Sequence, residues 1–109
     1  MNKLVHLIDD EGDLRENITE LLEIEGYEVK AQGLTELLQV IDQEPRLVLF
    51  NGFSHPGEAN QFIRWTKNKP TQVIIISDDK DQYSTQADAT VSLPFTQREL
   101  ISAVNHLSR

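Results

Sequence analysis

The chain has 109 residues and a formal charge of −8 at pH 7, from 10 Lys and Arg against 18 Asp and Glu, and 39% of it is hydrophobic. That length and apolar content suit one modest core, so residues 1–109 read as a single domain, and the net negative surface argues against direct binding to nucleic-acid phosphates or anionic lipid. With no cysteine there are no disulfides, thiolate metal ligands or thiol nucleophiles, which suits a reducing cytoplasm. The opening apolar run is too short for a signal peptide or a spanning helix and gives way at once to Asp9 and Asp10, so the expectation is a cytoplasmic chain that is neither exported nor anchored.

Residues 3–8 are mostly apolar and stop abruptly at the acidic pair, the pattern of a strand buried on both faces. Leu14, Ile18, Leu21 and Leu22, with Glu11 and Arg15 four apart, predict an amphipathic helix from Asp13 to Glu25 that Gly26 stops. Tyr27 to Ala31 reads as a second strand. Thr35 opens a second helix carrying Leu37, Leu38, Val40 and Ile41, which Pro45 prevents from continuing. Leu47 to Asn51 is a third buried strand, 52–58 a loop by composition, and Ala59, Phe62, Ile63, Trp65 and Thr66 mark a third helix closed by Pro70. Val73 to Ile76, the most apolar run, predicts a central strand ending at Ser77, and a fifth strand follows at 89–92. Thr96 and Glu99 form a capping box ahead of a last helix with Leu100, Ile101, Val104 and Leu107 on its buried stripe.

Strands alternating with helices imply a doubly wound parallel sheet with right-handed crossovers. Ligands of such sheets sit beyond the carboxyl ends of the strands, here Asp9 and Asp10, Asn51 and Gly52, Ser77 and Asp78, and Leu93 and Pro94. The fourth crossover is the exception to the pattern. Only residues 78–88 separate Ser77 from Ala89, with Tyr83 the one large apolar side chain, so its helix should be shortened or missing.

The runs Val5–Glu11, Leu47–Asn51, Val73–Ser77 and Pro94–Leu100, in that order and spacing, resemble the receiver domains of two-component response regulators over nearly the whole chain. The resemblance implies a flavodoxin-like α/β fold with strand order 2-1-3-4-5, and a signalling module concerned with transcription regulation. In that family an Asp ending the third strand accepts a phosphoryl group, an acidic pair holds Mg²⁺, a Lys neutralises phosphoryl oxygens and a Ser or Thr hydroxyl reads their arrival. Carried over, Asp9 and Asp10 match the metal pair and Ser77 the hydroxyl. Asn51, or in an alternative alignment Gly52, falls at the phosphoacceptor position, Leu93 replaces the Lys, and Thr90 replaces the usual switch aromatic. An amide is no carboxylate nucleophile and glycine has no side chain. Leu93 supplies no positive charge for phosphoryl transfer.

The expected function is therefore a phosphorylation-independent pseudo-receiver that is not an enzyme, free-standing or part of a larger regulator, with no cofactor beyond weak residual Mg²⁺ at Asp9 and Asp10. The competing expectation is an unorthodox phosphoreceiver or divalent-cation sensor using Asp9, Asp10 and Asp78. Plainer roles also fit: Asp9 and Asp10 as strand-end or capping acids, Ser77 as a satisfied strand-end hydroxyl, Asn51 as a partner of the neighbouring loop backbone. His6, His55 and His106 lack metal-ligand spacing. On the fifth strand Ala89, Val91 and Leu93 form an apolar face and Thr90 and Ser92 a polar one. The expected docking surface for a protein partner or a second copy is Thr90, Ser92 and Tyr83, at the end formed by the fourth and fifth strands and the last helix.

Overall fold

The computed structural model describes residues 3–10, 12–79, 83 and 86–108. Five strands, β1 (Leu4–Ile8), β2 (Glu28–Gln32), β3 (Leu47–Asn51), β4 (Gln72–Ser77) and β5 (Ala89–Ser92), form one sheet in the order β2-β1-β3-β4-β5. Every pairing is parallel. The helices are α1 (Gly12–Ile24), α2 (Leu37–Asp42), α3 (Pro56–Thr66) and α4 (Gln97–Leu107), with a short 3₁₀ turn, Leu34–Glu36, ahead of α2. The doubly wound sheet and its strand order are those expected.

Period-two alternation sorts the strand side chains between two cores. Val5 and Leu7 of β1, Leu49 of β3, Ile74 and Ile76 of β4 and Val91 of β5 face α1 and α4, where Ile18, Leu22, Leu100 and Val104 cover them. Ile8, Val48, Phe50, Val73 and Ile75 face α2 and α3, under Leu37, Val40, Ala59 and Phe62. β3 is buried at every residue, as a central strand with helices on both faces must be.

Local signals set the element ends. Gly26, at φ 92°, takes the left-handed conformation that closes α1. Thr96 Oγ1 accepts from the Glu99 N–H at 3.1 Å, and the Glu99 carboxylate accepts from the Thr96 N–H at 3.2 Å, so the expected capping box starts α4. Several boundaries differ from the sequence reading by a residue or more, three of them for a visible reason. β2 lies one residue later than expected, paired from Leu4↔Glu28 to Ile8↔Gln32. The second helix begins as 3₁₀ at Leu34. The stretch 52–58 is not all loop, because Pro56 opens α3 at a first-turn position where its missing N–H costs nothing.

No helix lies between β4 and β5 among the described residues. Lys80, Asp81, Gln82, Ser84 and Thr85 of that crossover, and Glu11, expected to pair with Arg15, lie outside the described residues. Tyr83 overturns one expectation. It was read as part of an exposed docking surface, yet it is 0% exposed and packs in the α2/α3 core with Phe50, Phe62 and Ile75. Its hydroxyl donates to the Pro56 carbonyl at 3.3 Å. The one large apolar side chain of the crossover is drawn inward to cover that part of the sheet.

Candidate functional site

The carboxyl ends of β1, β3 and β4 bring Asp9, Asn51 and Ser77 to the same end of the sheet. Each is buried, at 0%, 0% and 1% exposure. The register aligns Ile8 with Phe50 and Asn51 with Ile76, so Asp9 emerges beside Asn51. It is Asn51, and not Gly52, that presents a side chain to Asp9. Gly52 instead lies against β4: its N–H donates to the Ile76 carbonyl at 2.8 Å, and an added Cβ would lie 2.6 Å from Ile75 Cγ2. Only glycine permits that approach.

The Asn51 amide is fully engaged. Its Nδ2 donates to Asp9 Oδ1 at 3.0 Å and to Ser54 Oγ at 3.2 Å. Its Oδ1 accepts from the N–H groups of Phe53 at 3.0 Å and Ser54 at 3.2 Å, an Asx turn that fixes the start of the β3–α3 loop. Two donors and two acceptor positions are all that a carboxamide has. Between Asn51 and Asp9 there is thus an amide–carboxylate hydrogen bond that a second carboxylate could not make.

Asp10 is exposed and directed elsewhere, accepting at Oδ1 from the Leu34 N–H at 3.0 Å. It caps the turn after β2, and Gly33 gives it room, since a Cβ there would overlap the Asp10 carboxylate. Ser77 Oγ accepts from the Asp79 N–H at 3.2 Å, and Asp78 is exposed. Among the described residues no group of three or more His, Asp or Glu is placed to hold a metal ion. Leu93 is half-buried and packs on the α1/α4 core, with its N–H donating to the Ser77 carbonyl at 2.8 Å. Its aliphatic chain packs on hydrocarbon and brings no charge to Asp9 and Asn51. Thr90 and Ser92 are half-buried on the opposite face of β5, paired with Ile75 and Ser77.

Two participants escaped the sequence reading. Composition marks Ser54 only as loop, although Asn followed three residues later by Ser is an available Asx-turn signal. Gly33 showed its role only once Asp10 was placed. A separate groove of about 580 Å³ lies at the other end of β4, among Arg64, Lys67, Lys69, Thr71, Val73 and Asp88. Its one acid, Asp88, is engaged by the Val73 N–H at 2.6 Å. No helix among the described residues is long and apolar enough to cross a membrane.

No family model matches the chain. It is 32% identical to the transcriptional regulatory protein CpxR homolog of Haemophilus influenzae, an alignment that takes in 100% of this chain and 51% of that protein, so the chain spans about half the length of this curated relative. Among solved structures, the signal receiver domain of the putative Luxo repressor protein from Vibrio parahaemolyticus superposes with a TM-score of 0.82 at 19% identity, over 100% of this chain and 92% of that one. A response-regulator signal receiver domain from Bermanella marisrubri gives 0.82 at 18% identity over 100% of both chains. A response regulator from Thermotoga maritima gives 0.79 at 20% identity over 98% of each. These structures show that the chain has the doubly wound fold of those domains.

Proposed function

We propose that this receiver domain works without phosphorylation, as a cytoplasmic signalling module that binds a protein partner or a second copy, and that it is not itself an enzyme. The observation that carries this reading is the Asn51 amide, buried and fully hydrogen-bonded at the position where the resemblance puts the phosphoacceptor. An amide oxygen that already accepts two N–H bonds is a poor nucleophile, and no carboxylate replaces it on β3. Leu93, at the position of the family's Lys, offers no charge to a phosphoryl group and packs into the core.

The cation-sensing alternative has less support. Asp10 is exposed and bonds to the Leu34 N–H, Asp78 is exposed, and among the described residues no group of three acids is placed to hold a metal ion together with Asp9. Residual Mg²⁺ binding is weak in this reading. By analogy with the curated relative, the chain serves as the receiver half of a transcriptional regulator and contacts no DNA itself. Its docking surface is the β4/β5/α4 end, reduced to Thr90 and Ser92 now that Tyr83 is internal; Thr90→Arg with Ser92→Arg should weaken self-association or partner capture without unfolding the domain. The decisive experiment is intact-mass analysis after treatment with acetyl phosphate and Mg²⁺. The unmodified mass is expected, and an acid-labile phosphoryl adduct on any aspartate refutes the proposal.

A further inference from the structure

We infer that Asn51–Gly52 is a gated deamidation site, in which the fold activates the amide carbon and withholds the nucleophile. The reaction needs only the chain and water. The Gly52 backbone nitrogen attacks Asn51 Cγ to form a C–N bond, its proton passes through solvent to the departing Nδ2, and ammonia leaves. Water then opens the five-membered imide at either carbonyl, giving aspartate or β-linked isoaspartate at position 51. Glycine is the residue that least obstructs this ring closure, having no side chain beside the attacking nitrogen.

Both halves of the gate are visible in the hydrogen bonds. The Phe53 and Ser54 N–H groups donate to Asn51 Oδ1 at 3.0 and 3.2 Å, aimed at the atom that takes on negative charge as Cγ is attacked. The Gly52 nitrogen is held off, because its N–H is bonded to the Ile76 carbonyl at 2.8 Å. It cannot turn toward Cγ without leaving β4. Asn51 is 0% exposed, which also keeps hydrolytic water away. The activating Asx turn spans residues 51–54 and can persist when the strand end parts, whereas the restraint on Gly52 is long-range and is lost at once. The fraction of time the β3–β4 end is open thus scales the rate of the slow ring closure. Ile75 and Tyr83 pack beside Gly52, where an added Cβ would come within 2.6 Å of Ile75 Cγ2 and 3.4 Å of Tyr83 Cε2, so loosening either should ease that opening.

This inference rests on the geometry of the dipeptide and stands whether or not the domain accepts phosphate. It is tested by incubating the whole chain in mildly alkaline buffer, folded and in urea, with peptide mapping of the NH₂-for-OH exchange at position 51. Deamidation is expected at least about tenfold more slowly in the folded chain, the factor that an opening free energy of about 1.4 kcal/mol gives. Tyr83→Leu, checked by circular dichroism to be folded, should deamidate faster than the parent under native conditions. If it does not fold, Ile75→Val takes its place. Equal rates in folded and unfolded parent, or a loosened variant no faster than the parent, overturn the gate.

Discussion

Replacing Asn51 by aspartate tests the amide lock without changing side-chain size. Asn51→Asp removes the Nδ2 donor bonds to Asp9 and Ser54 and sets two carboxylate oxygens where 3.0 Å now separates donor from acceptor. At an effective dielectric of about 20, two unit charges at that distance repel by about 5 kcal/mol. The Phe53 and Ser54 N–H bonds strengthen when their acceptor is charged and return about 1.5–3 kcal/mol. The net cost near neutral pH is therefore about 2–4 kcal/mol, a large share of the 5–15 kcal/mol typical of a domain. Urea denaturation should show a midpoint lower by about 1–3 M. The introduced carboxyl binds its proton more tightly in the folded than in the unfolded chain. The deficit is accordingly full at neutral pH and shrinks as pH falls through the raised folded value toward the ordinary aspartate range near about 3.9. Mg²⁺ should recover part of the loss in the variant and little in the parent. A variant within about 0.5 kcal/mol of the parent at neutral pH without divalent ions, and parallel to it with pH, refutes the reasoning.

Two further outcomes follow from the packing. Burial raises the Tyr83 hydroxyl above its ordinary value of 10.0, so its stabilising contribution is complete below that pH and is lost as pH rises through the folded value; Tyr83→Phe should flatten this alkaline decline in urea titrations while costing about 0.5–1.5 kcal/mol at neutral pH for the lost bond to Pro56. Thr96→Ala removes the hydroxyl that accepts from Glu99 at the start of α4 and should lower stability by about 1 kcal/mol, read from chemical denaturation.

The strands and their cores were legible because buried parallel strands advertise themselves as apolar runs: Val73–Ile76 could be little else, and β3 and β4 were placed almost to the residue. α4 was equally plain, since Thr96 and Glu99 announce its first turn. Side-chain direction beyond a strand end was less accessible. Asp9 and Asp10 are neighbours in sequence with the same chemistry, yet one is buried against Asn51 and the other caps Leu34, a difference set by the turn after β2 and by the space at Gly33. Tyr83 was misplaced for a related reason. Among the described residues of the crossover there is no helix, and a sheet face recruits whatever apolar group is within reach, a preference that belongs to the assembled sheet and not to residues 78–88.

The groove at the amino end of β4 makes the molecule electrically lopsided. Arg64, Lys67 and Lys69 gather there with the single acid Asp88, while the chain as a whole carries −8. A local positive patch on a negative chain biases the orientation in which a charged body approaches that end. A negatively charged body is met groove first, so the carboxyl-end site of Asp9 and Asn51 faces away from it; a positively charged one meets the groove last. The bias reaches only about 8 Å at physiological ionic strength and fades as salt rises, so it shapes the angle and rate of encounter more than the strength of the contact that follows.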